Sequence, residues 1–243
     1  RKSGATMQRL VDETLGPLLW ETVAAYVDDA VVFTRGETEE KAFAQHLLDL
    51  RAFYTRIRKA GLHLKPTKCR LGRRRVQLLG HMVDGDIRTP TAANTEAVRA
   101  YAIPTTRKQL HTFLGLSSYF REYVDYFSNA AAPLYDLLRG TGSVKRAWTP
   151  QHTAAFKEIK RLLVSAPFLQ LPRYGPDAGQ FVIQTDTSGR GTGAVLMQLP
   201  SKSSRPGTLP KPVAFRSRAL RRSERGYGAG KRECLGLIYA VEQ

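Results

Sequence analysis

The stretch AAYVDDAVVF, residues 24–33, most constrains the fold, because it holds two adjacent carboxylates between two apolar runs. Both runs are rich in strand-forming residues, so we predict a tight β-hairpin with Asp28 and Asp29 at or beside its turn. Two like charges this close repel each other, and a cation between them relieves the repulsion. Mg²⁺ suits that position, because it is usually held by one or two carboxylates together with substrate phosphates.

A plain solvated turn is the alternative interpretation of the Asp pair, since turns favour Asp. The flanking runs argue against it, because surface hairpins usually alternate polar and apolar residues, whereas these runs are apolar throughout. We therefore expect the hairpin to be buried on both faces.

The charge of the chain indicates its class of partner. It has 243 residues, with 38 Lys and Arg against 21 Asp and Glu and a formal net charge of +17. This excess favours a polyanion, above all nucleic acid, although plain nucleic-acid binders share it and it specifies no reaction. Cys69 and Cys234 lack the spacing of a disulfide framework or a zinc site, which fits a reducing compartment.

The sequence gives no reason to expect a membrane partner. No window approaches the roughly 18 consecutive apolar residues of a membrane span, and no signal peptide opens the chain. It begins without Met and ends at GLIYAVEQ, within an amphipathic pattern, so we expect it to be a piece of a longer protein.

Periodicity predicts a mixed α/β segment, then helices, then a second α/β segment. A helix is predicted from Thr38 to Ala60, with Gly61 as its stop. Its predicted buried face consists of Phe43, Leu47, Leu50, Tyr54 and Ile57. LHLKPTKC (62–69) and VQLLGHMV (76–83) are predicted strands, the second interrupted at Gly80.

The middle of the chain is predicted to be helical from residue 90 to 140. Thr106 and Gln109 have the spacing of a capping box, and another helix is predicted after Thr149-Pro150. The aromatic residues of this segment have a spacing that favours core packing over base stacking: Phe113, Tyr119, Phe120, Tyr123, Tyr126 and Phe127.

A second acidic position follows a Pro- and Gly-rich connector. The predicted strand QFVIQTD (180–186) ends at Asp186, and GRGTGAVLMQ (189–198) is predicted to be its hairpin partner. Glu233 lies at the start of a predicted final helix, KRECLGLIYAVEQ (231–243). Taken alone, the Asp186 pattern is more typical of a strand that ends in a turn than of a site.

Several of these blocks resemble one family in its own order. Tyr26-Val27-Asp28-Asp29 resembles the Y-x-D-D signature of reverse transcriptases. The resemblance is to the Pol polyproteins of gypsy-like long-terminal-repeat retrotransposons, and it is carried further by RKSGATMQRLVDETL, LHLKPTKC, LLGHMV, TRKQLHTFLGLSSYFREYVDYFSNAAAPLYDLL, WTPQHTAAFKEIKRLLVSAPFLQLP and FVIQTDTSGRGTGAVLMQ. It extends essentially from end to end.

The resemblance implies a fold class and a domain order. The class is α/β: an α+β palm portion at 1–90, helical thumb and connection at 91–165, and the start of a ribonuclease H-like mixed α/β domain at 166–243. The implied activity is RNA-directed DNA polymerisation with ribonuclease H cleavage. A non-catalytic nucleic-acid-binding or structural subunit derived from such an element is the alternative.

The family's polymerase site holds two Mg²⁺ ions on three Asp residues, and the metals polarise the phosphate and activate the primer hydroxyl. The resemblance implies that Asp28 is a direct ligand and that Asp29 is a more peripheral one, with Mn²⁺ as an alternative ion. It places Tyr26 near the primer end and Gln8 against template and incoming nucleotide. The third Asp is expected upstream of residue 1, so we expect the isolated chain to be inactive.

The ribonuclease H resemblance implies that Asp186 and Glu233 are catalytic metal ligands. Two further acidic ligands and a His are expected after residue 243. Gly189 stands where the family often has Asp, and Lys231 stands where it often has Glu, so the local charge is more positive than usual.

The remaining implied contacts are to the primer–template duplex. Gly80 and His81 match the primer-grip hairpin, with His81 in a positional rather than a catalytic role. Arg73, Arg74 and Arg75 are predicted to contact phosphates, with a solvated basic face as the alternative. The implied partners are an RNA template, a DNA primer, the RNA–DNA hybrid, dNTPs, and the protease and integrase of the parent polyprotein. The implied location is intracellular, in the cytoplasm or a virus-like particle.

Overall fold

The structure is a computed structural model that describes residues 3–243. Its contacts divide the chain into a first unit that ends at Leu79 and a second unit from Gly80 to Gln243. The predicted boundaries at residues 90 and 165 stay predictions. The helices are α1 (Ser3–Leu15), α2 (Glu39–Lys59), α3 (Ala92–Ala100), α4 (Arg107–Tyr119), α5 (Phe127–Arg139), α6 (Val144–Ala147), α7 (Pro150–Val164) and α8 (Ala229–Val241). The strands are β1 (Val23–Tyr26), β2 (Asp29–Val32), β3 (Arg75–Leu78), β4 (His81–Asp84), β5 (Ile87–Pro90), β6 (Leu169–Gln170), β7 (Phe181–Thr187), β8 (Gly191–Gln198) and β9 (Lys211–Ala219).

The first unit contains the predicted hairpin. Strands β1 and β2 are antiparallel, with Val23 opposite Val32 and Tyr26 opposite Asp29, so Val27 and Asp28 form a two-residue turn. The hairpin packs on α1 and α2 around a small apolar core, which consists of Val11, Leu15, Val23, Phe53 and Ile57. This core fixes the base of the hairpin rather than its tip.

Helix α2 has the predicted ends but only part of the predicted buried face. Thr38 caps it, and Gly61 follows it with a φ of +69°. Of the predicted face, Ile57 is buried and Leu50 is partly buried, whereas Phe43, Leu47 and Tyr54 are 62%, 52% and 36% exposed. The predicted face is therefore wrong at three of its five positions, because α2 contributes Phe53 and Ile57 of its later turns to the core of this unit.

One predicted strand of the first unit is wrong. LHLKPTKC forms irregular chain around a single 3₁₀ turn at Pro66–Lys68. Proline has no N–H to donate to a ladder and its φ is fixed, which favours a turn over a strand. The predicted interruption of VQLLGHMV at Gly80 is confirmed: β3 and β4 are separated by Leu79 and Gly80, with φ values of +46° and +74°.

The second unit begins with three antiparallel strands and a helical core. Met82 of β4 lies opposite Thr89 of β5, and Ile87 of β5 lies opposite Gln170 of β6. The capping box of Thr106 and Gln109 at the start of α4 is confirmed. The core between the helices includes Val98, Leu110, Phe113, Leu114, Phe120, Tyr123, Phe127, Leu134, Phe156, Ile159 and Leu163.

The core-packing prediction is confirmed for four of the six aromatic residues of this segment, since Phe113, Phe120, Tyr123 and Phe127 are buried. It is wrong for Tyr119, which is about half exposed, and Tyr126 is only partly buried. Among residues 3–243, no helix combines the length and the apolar composition needed to cross a membrane.

The second unit ends in an antiparallel sheet in the order β7-β8-β9. Helix α5 packs on one face, where the Ser128 N–H donates to Ser217 Oγ at 3.0 Å. Helix α8 packs on the other face, where it comes so close that a side chain at Gly236 would clash with the hydroxyls of Thr187 and Thr192. The hairpin predicted for residues 180–198 is thus confirmed, with a helix on each face.

Candidate functional site

The turn that carries the acidic pair is braced by Gln8. Val27 has a φ of +54°, an unfavourable conformation for a β-branched residue. Its N–H donates to Gln8 Oε1 at 2.6 Å, and Gln8 Nε2 donates to Asp12 Oδ1 at 2.8 Å. Gln8, predicted to contact substrate, therefore holds the turn through its side-chain amide.

Asp28 and Asp29 both project into solvent. They are exposed, and among residues 3–243 no hydrogen bond or ion pair to either carboxylate is found. Tyr26 is 59% exposed and Ala30 is exposed as well, so the expectation that both faces of the hairpin are buried is wrong for the tip. The turn presents two free carboxylates from a rigid base.

We predict that Gln8→Ala loosens this turn. Loss of a hydrogen bond to a partly buried N–H should lower local stability by about 1–2 kcal/mol. Hydrogen exchange of the Val27 amide should accelerate about tenfold, because opening free energy controls exchange. Gln77→Ala, at an exposed position of β3, is the matched control, and equal exchange in both variants would contradict the bracing role.

The described residues do not by themselves complete a metal site. Carboxylate oxygens are suitable donors for Mg²⁺. Yet within residues 3–243 no group of three or more His, Cys, Asp or Glu side chains is placed to hold an ion. Among the residues that the structure describes, the possible ligands occur singly or in pairs, so they do not form a closed coordination sphere.

Gly80 and His81 lie in a network of the second unit. The Gly80 carbonyl accepts from Asn94 Nδ2 at 3.0 Å. His81 Nδ1 is 2.7 Å from Tyr123 Oη, and the His81 ring stacks on Tyr119. Burial, followed by the charge of Arg88, lowers the pKa of His81, so the imidazole is held neutral. Their proposed contact with a primer stays a prediction.

An ion pair beside this network has no signal in the sequence. Arg88 Nη2 donates to Glu122 Oε2 at 2.7 Å, and both side chains are about four-fifths buried. Burial would raise the pKa of Glu122, but the Arg88 hydrogen bond and charge outweigh it, so the pKa lies below its usual value. Burial also raises the pKa of Tyr123 to about 12. The pair joins residues 34 positions apart, which no local pattern predicts.

The basic run before β3 is exposed. Arg73, Arg74 and Arg75 all face solvent in the first unit. Arg74 forms an ion pair with Glu39 at the start of α2. Arg73 has no such partner among the described residues, so its charge is the one most available to an anion.

Asp186 points away from the face of the C-terminal sheet on which α8, the helix of Glu233, packs. The pairs Thr187–Thr192 and Asp186–Gly193 are adjacent in the β7–β8 ladder, so their side chains point to opposite faces. Thr187 faces α8, which carries Glu233, whereas Asp186 faces α5 and accepts from Tyr126 Oη at 2.6 Å. The joint role of Asp186 and Glu233 stays a prediction.

A set of cationic residues gathers at the end of the sheet near Asp186. The Leu220 N–H donates to the Arg190 carbonyl at 2.8 Å, which joins the β7–β8 turn to the chain after β9. The Arg232 guanidinium lies against Gly189 of the same turn. This C-terminal basic edge consists of Arg190, Arg221 and Arg232. Such an edge suits a phosphate backbone.

One carboxylate here is structural. Glu224 is buried and accepts two hydrogen bonds from Arg218, at 2.7 and 3.0 Å, and one from the Arg221 N–H at 2.7 Å. The Arg218 hydrogen bonds, with that from the Arg221 N–H, lower the pKa of Glu224 to about 2. Folding therefore stabilises the ionised form of the Glu224 carboxylate.

We predict that Glu224 makes stability fall in acid. Its pKa is 4.5 when unperturbed and about 2 when folded, so its stabilisation is complete above about pH 4.5 and is lost as the pH falls towards 2. Thermal unfolding at pH 7, 4 and 3 should show a smaller decrease in Tm for Glu224→Gln than for the parent. Glu96→Gln, on an exposed ion pair, should keep the parent's pH dependence. Parallel curves for Glu224→Gln and the parent would contradict the assignment.

Two family matches cover most of the chain. Residues 1–83 match the family described as reverse transcriptase (RNA-dependent DNA polymerase). Residues 148–243 match the RNase H-like domain found in reverse transcriptase.

Proteins that are similar to this chain over its whole length, or nearly so, belong to the same class. The chain is 31% identical over 242 residues to the retrovirus-related Pol polyprotein from transposon 297 of Drosophila melanogaster, covering 100% of the chain and 21% of that protein. It is 28% identical to the polyprotein from transposon opus of the same organism, covering 100% of the chain and 24% of that protein. It is 27% identical to the transposon Tf2-3 polyprotein of Schizosaccharomyces pombe, over 98% of the chain and 17% of that protein. The chain thus spans between about a sixth and a quarter of the length of these relatives.

Solved structures share the fold. A foamy viral protease-reverse transcriptase in complex with RNA/DNA hybrid superposes with a TM-score of 0.80 at 24% identity, over 98% of this chain and 30% of that one. The same viral protein in complex with dsDNA gives 0.80 at 23% identity, over 99% of this chain and 48% of that one.

Proposed function

The chain belongs to the reverse transcriptase and RNase H-like region of the retrotransposon Pol polyproteins, and we propose that it works there as part of an RNA-directed DNA polymerase with ribonuclease H activity. The observation that carries this proposal is the exposed Asp28-Asp29 pair on a turn braced by Gln8. A rigid turn with two unpartnered carboxylates suits a group that must meet a cation and a phosphate together.

The first unit is proposed to supply part of the polymerase centre. Asp28 and Asp29 would hold Mg²⁺, which supplies Lewis-acid stabilisation of a phosphoryl group, with further acidic ligands from outside residues 3–243. Tyr26, exposed beside the turn, would contact the primer end or the nucleotide. Gln8 would act through the turn that it braces.

The second unit is proposed to hold the duplex and to begin the ribonuclease H-like site. Gly80 and His81 would place the primer strand, with the neutral His81 ring fixed by Tyr123. Asp186 and Glu233 would contribute ligands to the second site. The C-terminal basic edge, close to Asp186 along the sheet, supports contact with the backbone of an RNA–DNA hybrid.

The proposed partners follow from the same features. They are an RNA template, a DNA primer, their hybrid, dNTPs, and the protease and integrase of the parent polyprotein. The solved structures that share the fold are complexes with RNA/DNA hybrid and with dsDNA, which supports the nucleic-acid class. The cytoplasm or a virus-like particle is the proposed location.

We predict that the purified chain binds primer–template duplex through Arg73 in a salt-dependent manner. Fluorescence anisotropy of a labelled duplex at several salt concentrations should give a negative slope of log K against log[salt]. Arg73→Glu should weaken binding and make that slope shallower by about one, because one phosphate contact is lost. Arg51→Glu, on the exposed side of α2, is the charge-matched control. An unchanged slope for Arg73→Glu would overturn the role of this arginine.

The rival, a non-catalytic binding subunit, is favoured by one observation: no three-ligand metal group lies within residues 3–243. Both hypotheses predict negligible turnover by the isolated chain. A primer-extension assay of a longer chain, extended at both ends, distinguishes the two hypotheses. Under the enzyme proposal it extends primers in Mg²⁺ and Asp28→Asn abolishes extension, whereas under the rival it binds duplex and never extends it.

A further inference from the structure

Tyr126 makes an unusual connection between helix α5 and the C-terminal sheet. It immediately precedes α5 and has a left-handed backbone conformation, with a φ of +49°. Residues other than Gly rarely adopt this conformation. This conformation coincides with a hydrogen bond from Tyr126 Oη to Asp186 Oδ2 at 2.6 Å. The two residues are 60 positions apart, so the contact joins separate parts of the second unit.

Gly193 provides the space for this contact. It lies directly opposite Asp186 in the ladder of β7 and β8. A Cβ at Gly193 would lie 2.6 Å from Cε1 of the Tyr126 ring. The ring therefore fills the position of a side chain at Gly193 and reaches the neighbouring carboxylate from the same face of the sheet.

In the pair of Tyr126 and Asp186, Tyr126 is the hydrogen-bond donor. The Tyr126 hydroxyl donates a hydrogen bond to Asp186 Oδ2. A protonated phenol donates to an ionised carboxylate, and such charge-assisted bonds are the strong ones. Asp186 therefore has one oxygen occupied, on the face of the sheet opposite α8 and Glu233.

We propose that Tyr126 is a clasp that holds one oxygen of the Asp186 carboxylate on the α5 face of the sheet and so limits the binding of a cation there. The clasp itself depends only on the contacts of Tyr126, Asp186 and Gly193. The identity of Asp186 as a ribonuclease H ligand rests on the proposed function. Release of the Tyr126 hydrogen bond would thus free this oxygen for a cation.

Carboxyl labelling of the full chain tests the clasp without metal or substrate. Carbodiimide and glycine ethyl ester modify accessible carboxylates, and peptide mass spectrometry measures the rate at each one. Tyr126→Phe removes only the Oη donor, and we expect it to raise the labelling rate of Asp186 about tenfold, as loss of a charge-assisted hydrogen bond implies. The rate at Asp28, in the first unit, should not change.

Matched variants separate the clasp from a general loosening of the fold. Tyr174→Phe, at an exposed tyrosine of the same unit, should leave the rate at Asp186 unchanged. Gly193→Ala should raise it as Tyr126→Phe does, because the new Cβ displaces the ring. Circular dichroism checks that each variant is folded. An Asp186 rate that is the same in the parent, Tyr126→Phe and folded Gly193→Ala would overturn the clasp.

A second measurement separates failure of the clasp from failure of the proposed function. Mn²⁺ added to the Tyr126→Phe chain should broaden the amide NMR signals around Asp186 at a concentration about tenfold lower than in the parent. Faster labelling without any Mn²⁺ effect would support the clasp and count against Asp186 as a metal ligand. Equal labelling rates would overturn the clasp, whatever Mn²⁺ does.

Discussion

Phe113→Ala is expected to destabilise the second unit by about 4 kcal/mol, the range for truncation of a fully buried aromatic side chain. Phe113 is fully buried in the helical core. Its ring centroid lies 4.5 Å from that of Phe156 and 5.3 Å from that of Tyr101. The substitution removes the contacts that join α4 to α7 and leaves a cavity that rigid neighbours fill only in part.

Urea denaturation measured by tryptophan fluorescence checks this expectation. Trp148 packs against Phe156, so its emission reports on the same core, whereas Trp20 lies in the first unit and is largely exposed. Phe168→Ala, at a half-exposed phenylalanine of the second unit, is the matched control and should cost less than about 1 kcal/mol. Similar midpoints for the two variants would mean that Phe113 is not central to the core.

Local signals in the sequence predicted the elements well. The hairpin around Asp28, the ends of α2 and the capping box of α4 were all predicted from residues a few positions apart. Each depends on turn chemistry or on the first hydrogen bonds of a helix, which neighbouring residues decide. The strand predicted at LHLKPTKC failed at Pro66, where the apolar pattern was weighed above the missing N–H.

Burial was harder to predict than the elements themselves. Phe43 and Leu47 have the spacing of a buried face, but whether a face is buried depends on which elements reach it. The tip of the β1–β2 hairpin gave the same error, since Tyr26 and Ala30 are exposed despite an apolar sequence. Periodicity specifies a face of an element, and only the packing of other elements decides its exposure.

Some features of the candidate site follow from local sequence, and others depend on long-range contacts. The turn at Asp28 and Asp29 was predicted, because all of its determinants lie within ten residues, whereas its exposure was not. The bracing by Gln8, the contact of Tyr126 with Asp186, and the ion pair of Arg88 join residues from 19 to 60 positions apart. Such pairs leave no local pattern in a single sequence, so they emerge only from the fold.

Arg88→Met is expected to destabilise the second unit by about 3 kcal/mol, because it leaves the buried carboxylate of Glu122 without its main partner. The remaining cation, Arg216, is 3.6 Å from Glu122. The Arg88 guanidinium also donates to the Val213 carbonyl at 3.3 Å, and its charge lies over the Tyr123 ring. Urea denaturation gives the change, and Arg99→Met, on the exposed pair with Glu96, should change stability by less than about 0.5 kcal/mol.

The pH dependence of this loss identifies its cause. In the parent, the lowered pKa of Glu122 means that its stabilisation is complete above its usual value of 4.5 and is lost as the pH falls through the folded pKa. Without Arg88, burial is the dominant influence and raises that pKa, so protonation relieves the isolated charge. The difference between the parent and Arg88→Met should therefore shrink as the pH falls from 7 to 4. Adding Glu122→Gln to Arg88→Met should restore much of the stability at pH 7, whereas a loss that is independent of pH and of Glu122 would place the cause in packing alone.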